Sequence, residues 1–205
     1  MKLLSAQNIT HSINDTKLFH NLSFEINSGE GLHIKGGNGS GKSTLLRIIL
    51  GITSPSKGFI DLEAQELNIS YLGHKNALKN YLTPAQNLEL IFNDADLKLA
   101  FEWLKNFDLL DVQDELTANL SFGQQKKLAL IRVMAIPSEL IVLDEPFVGL
   151  DQVTADQLNN FLEKKLSNGV GLILTSHINP MIDCKVLDLG TKKSFIKKSR
   201  NLQTI

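Results

Sequence analysis

One cysteine, one tryptophan and two tyrosines are all that this 205-residue chain holds of those residue types. The lone Cys184 excludes an intrachain disulfide and suits a reducing compartment, where it reads as a small apolar filler. Charge of one sign is also lacking: 21 basic residues face 22 acidic ones, for a net charge of -1. Such a balance offers no field that would gather nucleic acid, so no nucleic-acid partner is expected. His11, His20, His33 and His74 show no metal-ligand spacing, and with one cysteine the expectation is no zinc site. No apolar run approaches the roughly 20 residues needed to span a bilayer. Met1-Lys2-Leu3-Leu4 gives way at once to polar Gln7, Asn8 and Thr10, without the h-region of a signal peptide. The expectation is a soluble chain that meets a membrane only through a partner. Internal repeats and low-complexity tracts are absent too.

What is present is an ordinary globular composition, 42% hydrophobic, long enough for one substantial core or two intimate subdomains. Residues 1 to 35 read as strands, with Leu22, Phe24 and Ile26 alternating with polar residues and Ser28-Gly29 turning the chain. Leu32 and Ile34 mark a short strand that runs into glycines. A helix over Thr44 to Leu50 stops at Gly51. Strand returns at Phe59-Ile60 and at Ile69 to Leu72. From Lys75 to Ala135 the pattern becomes helical. Thr83 caps a helix with Pro84 in its first turn and Leu88, Ile91 and Phe92 on its apolar face. Leu97, Phe101, Leu104 and Phe107 form a second amphipathic stretch. Ser121 and Gln124 fit a capping box that opens a third helix, ending before Pro137. Leu140 to Leu143 and Val170 to Leu174 are the continuous apolar runs of parallel strands covered on both faces. Asp151 to Leu166 is helical between them. Val186-Leu187 and Ser194-Phe195-Ile196 suggest a terminal hairpin over Gly190. The basic tail, Lys192, Lys193, Lys197, Lys198 and Arg200, reads as a solvated face, with contact to anionic lipid as the second reading.

Three segments carry chemistry. Gly36-Gly37-Asn38-Gly39-Ser40-Gly41-Lys42-Ser43 matches G-x-x-x-x-G-K-[ST], after a strand and at the opening of a helix. Its glycines let backbone amides form a nest for phosphate oxygens, and the helix N-terminus adds a favourable dipole. Lys42 would reach the β- and γ-phosphates and Ser43 would ligate Mg2+. The second segment is the acidic pair that ends the 140–144 strand, expected beside the P-loop. Asp144 can hold Mg2+, and Glu145 can take a proton from an attacking water. The third, Leu120-Ser121-Phe122-Gly123-Gln124, is a plain helix cap by its own residues. Those same residues leave backbone amides exposed to an anion. His177 follows a buried strand, where it could hydrogen-bond a γ-phosphate and orient water.

In this order and spacing the segments resemble the ATP-binding-cassette ATPases. Gly36 to Thr44 is similar to the Walker A, Leu120 to Gln124 to the signature and Leu140 to Glu145 to the Walker B. Gly149-Leu150-Asp151 matches the D-loop, and His177 the switch histidine. The likeness narrows at Tyr71-Leu72-Gly73-His74, where most members carry glutamine in place of His74. With Leu82-Thr83, Asn87-Leu88, Gly123-Gln124-Gln125-Lys126-Lys127, Asp144-Glu145-Pro146-Phe147 and the short length, it resembles the ATP-binding subunits of haem exporters in bacterial cytochrome c maturation. The chain departs from the family at two places. The aromatic that usually stacks on adenine falls near Ile13, leaving apolar or imidazole surface such as His11 for the base. Phe122 occupies a signature position usually held by glycine.

The resemblance implies an α/β fold: a P-loop NTPase core with a parallel sheet, an N-terminal antiparallel β-subdomain and a helical insertion. One domain would span 1–205, with the core and β-subdomain in 1–74 and 136–205 and the helical part in 75–135. ATP and Mg2+ are the implied ligands. Their site would comprise Gly36 to Thr44, His74, Asp144, Glu145 and His177. A second copy of the chain, packed head to tail, would supply Ser121, Gly123, Gln124 and Asp151. Transmembrane permease subunits would hold the ATPase at the cytoplasmic face of the bacterial inner membrane. The competing expectations are the ATPase of another small exporter, for a drug, lipid or polysaccharide, and a soluble cassette protein outside transport. A third is a nucleotide-binding regulatory module without turnover, against which Glu145 argues.

Overall fold

The computed structural model describes residues 1–14, 16–63 and 67–190, together with the backbone of 196–198. Two sheets divide the strands. Strand β1 (Lys2–Ile13) pairs antiparallel with β2 (Thr16–Asn27), and β4 (Lys57–Leu62) pairs antiparallel with β1 on its other edge, in the order β2-β1-β4. In β2, Leu22, Phe24 and Ile26 are buried and the residues between them exposed, the alternation of a sheet wet on one face. Register shifts interrupt the β1–β2 ladder near Asn8 and Asn21, both at φ 53°. Asparagine tolerates that left-handed backbone better than most side chains do.

The second sheet has six strands in the order β5-β6-β7-β3-β8-β9. These are β3 (Gly31–Lys35), β5 (Ile69–Leu72), β6 (Leu140–Asp144), β7 (Gly171–Thr175), β8 (Lys185–Asp188) and β9 (Ile196–Lys198). All neighbours run parallel except β8 and β9, which form an antiparallel pair. That pair is the expected terminal hairpin, although Ser194, Phe195 and the basic tail side chains lie outside the described residues. Strand β6 ends at the cleft that holds the P-loop, although in the sheet β7 is inserted between β6 and β3. The runs 140–144 and 171–175 are buried at every residue, so each needs a strand on both sides and layers on both faces.

Among the described residues, five α-helices cover the sheet: α1 (Lys42–Ile49), α2 (Pro84–Glu89), α3 (Asp94–Asn106), α4 (Phe122–Met134) and α5 (Gln152–Ser167). Helix α1 begins two residues earlier than the apolar pattern suggests, and Gly51 follows its end at φ 69°. Helix α2 stops at Glu89, so Ile91 and Phe92 lie beyond it. Asn93 there accepts from the N–H groups of Ala95 and Asp96 and starts α3 instead. Thr83 and Gln86 form a full capping box at α2, and Ser121 and Gln124 form another at α4.

Two apolar clusters sandwich the large sheet. One joins α2, α3, α4 and α5 to Ile141, Leu143, Leu172 and Leu174 of the sheet. The other joins α1 and the antiparallel sheet to Leu140, Val142 and Ile173 on the opposite face. The helical segment therefore shares its core with the sheet rather than enclosing one of its own. Cys184 is buried in the first cluster, where burial pushes its thiol up to about 12. Among the described residues, no helix is long and apolar enough to cross a membrane.

Candidate functional site

The site forms where the parallel strands end, at the mouth between β3 and the loops after β6 and β7. Strand β3 stops at Lys35 and the chain turns through glycines into α1. Gly41 is the N-cap of α1 at φ 96°, a backbone that glycine adopts without penalty, and it has no side chain to cap the helix. Lys42 folds back over the loop. Its Nζ donates to the Gly36 carbonyl at 2.9 Å and lies 3.4 Å from that of Gly37.

The acidic pair is held from β7. Registry sets Asp144 opposite Thr175. The Thr175 hydroxyl donates to Asp144 Oδ1 at 2.6 Å, and its oxygen accepts the Glu145 N–H at 2.9 Å. One buried threonine thus fixes both carboxylate-bearing residues. Asp144 Oδ2 is buried with no partner, an unsatisfied acceptor of the kind that a cation satisfies. Glu145 sits at φ 48°, a left-handed turn that redirects its side chain at the strand end. Its Oε1 lies 3.7 Å from Lys42 Nζ and 3.4 Å from His177 Nε2. Its Oε2 accepts the His177 backbone N–H at 3.3 Å. The Glu145 side chain is 12% exposed and that of His177 51%, so the histidine ring is free to turn while the carboxylate is walled in.

Lys42, Asp144, Glu145 and His177 line one cleft of about 490 Å3, together with Gly37, Asn38, Gly39, Gly41, Ser43, Thr44 and His74. Gly36 contributes its carbonyl to Lys42 just behind, and Ser40 sits against Gly36 with its hydroxyl buried. Ile13 and Leu18 form an apolar end of the cleft. His11 is not among its walls; its ring stacks on Phe19, with centroids 6.2 Å apart. Sequence reasoning missed Thr175 and Lys126. Lys126 is buried on α4 and also faces the cleft. Burial pushes its ammonium down, while Asp144 and Glu145 pull it back up.

Ser121, Gly123, Gln124 and Asp151 are not brought into this cleft. The Ser121 hydroxyl accepts from Gln124 N–H at 3.2 Å, and Gln124 Oε1 accepts from Ser121 N–H at 2.8 Å. That leaves the N–H groups of Phe122 and Gly123 as the open donors of α4, fewer than the bare segment suggests. The Phe122 ring packs on Gly149, where an added Cβ would come within 2.4 Å of it. The same ring lines the main cleft and a second, shallower one of about 400 Å3 beside His74, Lys75 and Asn80. Asp151 caps α5 through Thr154 and pairs with Lys127 at 2.8 Å. The Lys127 ammonium first, and the Thr154 N–H and hydroxyl next, hold its carboxyl well below the usual range.

A nest of glycine-rich backbone before a helix, a lysine folded over it and two carboxylates at the end of β6 make a phosphate-binding, water-activating cleft. Residues 19–148 match the ABC transporter family model. The chain belongs to the ABC transporter family, and it is an ATP-hydrolysing cassette of that family. Among curated relatives, it is 35% identical over 187 residues to the cytochrome c biogenesis ATP-binding export protein CcmA of Idiomarina loihiensis, covering 85% of each chain. It is 33% identical to the protein of the same name from Escherichia coli K12, covering 86% of this chain and 90% of that one. Solved structures carry the same fold. An ATP-binding subunit of an ABC transporter superposes with a TM-score of 0.85 at 22% identity, over 96% of this chain and 90% of that one. A cassette solved as a dimer in a post-hydrolysis state with ADP and Pi gives 0.82 at 23% identity, over 98% and 100%. An inward-facing putative metal-chelate type ABC transporter gives 0.80 at 26%, over 100% and 86%.

Proposed function

We propose that this chain is the ATP-hydrolysing subunit of an export complex serving bacterial cytochrome c biogenesis, with haem as the cargo that the resemblance implies. The pathway rests on the CcmA relatives. The chemistry rests on one observation: Glu145, walled in, faces His177 at 3.4 Å and Lys42 at 3.7 Å across the mouth of the cleft.

ATP enters with its phosphates over Gly36 to Thr44 and its base on the apolar end formed by Ile13 and Leu18. Lys42 exchanges the Gly36 carbonyl for β- and γ-phosphate oxygens. Asp144 and Ser43 would hold Mg2+, and the orphaned Asp144 Oδ2 fits that donor set. The ion would supply charge neutralisation for the phosphates. Glu145 accepts the proton of the attacking water, and His177 turns to the γ-phosphate. His74 senses the γ-phosphate in place of the usual glutamine. The open amides of Phe122 and Gly123, with Ser121, Gln124 and Asp151, complete the site of a second copy packed head to tail. Transmembrane subunits hold the dimer at the cytoplasmic face of the inner membrane.

Glu145→Gln tests the catalytic core. Turnover should fall by roughly a hundredfold or more while ATP stays bound and an ATP-loaded dimer accumulates on size exclusion. Unchanged turnover would remove Glu145 from its role. Copurification from membranes tests the pathway: a transmembrane partner unrelated to haem handling would overturn the cargo and leave the ATPase intact.

A further inference from the structure

His33 is a histidine in the middle of a parallel strand, 2% exposed. Its neighbours Leu32 and Ile34 pack into the cluster beneath the antiparallel sheet, so by strand alternation His33 faces the other way. There its Nε2 lies 3.0 Å from the carbonyl oxygen of Ser176, 143 residues away. A carbonyl can only accept, so the ring must donate, and the proton sits on Nε2. Burial lowers the proton affinity of the ring and the Lys35 charge adds to that, outweighing the Ser176 carbonyl and Glu145, which both pull it up.

The Ser176 carbonyl belongs to the same peptide unit as the His177 N–H, and that N–H donates to Glu145 Oε2 at 3.3 Å. In a trans peptide the C=O and N–H point in opposite directions. One planar unit is therefore gripped from both sides, by His33 on its oxygen and Glu145 on its nitrogen. Lys35, two residues along the same strand, donates to the Asn179 side chain and holds the loop just beyond.

We propose that His33 is a positioning residue of the hydrolytic centre: it fixes the Ser176–His177 peptide so that its N–H orients the Glu145 carboxylate and its ring side faces the cleft. The strand that leads into the phosphate loop then also aims the base, 112 residues further on. The proposal rests on Glu145 being that base. Rotation of the peptide would withdraw the N–H from the carboxylate, and a misplaced base loses turnover without losing nucleotide.

Two measurements on the full chain test it. Nitrogen-15 imidazole spectra, assigned by comparison with His33→Gln, should give a neutral ring with the proton on Nε2. A proton on Nδ1 would overturn the proposal, because the carbonyl would then face a lone pair. In turnover assays, His33→Met, similar in bulk but without a donor, should lower kcat roughly ten- to a hundredfold with ATP affinity within about threefold. His33→Gln, which keeps an N–H donor, should recover most of that loss. Equal losses in both variants would reduce His33 to core filling, and a loss in ATP affinity alone would assign it to the phosphate loop; either refutes the positioning role. Glu145→Gln run alongside separates the two readings. Full activity there condemns the base itself, whereas inactivity there with normal His33→Met condemns only the positioning.

Discussion

Helices α1 and α4 both begin at loops that the sequence marks for phosphate chemistry, yet their first turns are finished differently. At α1 the N-cap is Gly41, with no side chain to offer. The early amides are left to the cleft, and the helix end is completed by whatever anion arrives. At α4 the N-cap is Ser121, which with Gln124 satisfies two donors from within the chain. Only Phe122 and Gly123 stay open. A single residue type at the N-cap thus decides whether a helix end is half closed on its own or waits for a ligand. The α1 end has Lys42 folded over its loop with Glu145 3.7 Å from that ammonium, and α4 meets the same cleft through Phe122 and Lys126.

The largest effect should come from Lys42→Ala, which removes the ammonium folded over the loop before α1. ATP affinity should fall by about a hundredfold in calorimetric titration, the worth of one to two charge-assisted hydrogen bonds. A loss below fivefold would mean that backbone amides alone hold the phosphates. Next comes Ser121→Ala. Removing the cap should cost about 1 kcal/mol and lower the melting temperature by roughly 2–4 °C. An unchanged melting curve would mean that the α4 end is no better closed than α1. The smallest effect belongs to Asp151→Asn. Asparagine caps α5 as well as aspartate does, so only the pair with Lys127 is lost, worth about 0.5 kcal/mol at a half-exposed site. Its sign with pH is fixed: a carboxyl held low in the folded state stabilises above the ordinary value of 3.8 and loses that contribution as pH falls toward the depressed one. The gap between parent and variant in urea midpoints should therefore shrink from pH 7 to pH 3. A gap that widened would contradict the Lys127 pairing.

Local chemistry made much of this legible before any coordinates. The cap at Thr83, the capping box at Ser121 and the apolar runs read over Leu140 to Leu143 and Val170 to Leu174 stand within a residue of where their residues imply. Their signals span three or four neighbours. Strand order was harder, because the insertion of β7 between β6 and β3 depends on pairing across more than a hundred residues, which no local period records. Thr175 and His33 escaped for the same reason. Each acts on a group 31 and 143 residues away respectively, and an isolated threonine or histidine in an apolar run gives no hint of it. Asn93 was legible in principle, since an asparagine directly before a first turn carrying Asp94 and Asp96 is a good cap. The apolar spacing of Ile91 and Phe92 masked it.

Phe122 has one further consequence. Phe122 borders both the large cleft and the shallow one beside His74, and its ring leans on Gly149. An aromatic plate is incompressible, so it serves as a party wall: room gained on one side is lost on the other. Occupants of the two clefts cannot be sized independently, and a glycine at that position would have let each be filled without notice to its neighbour.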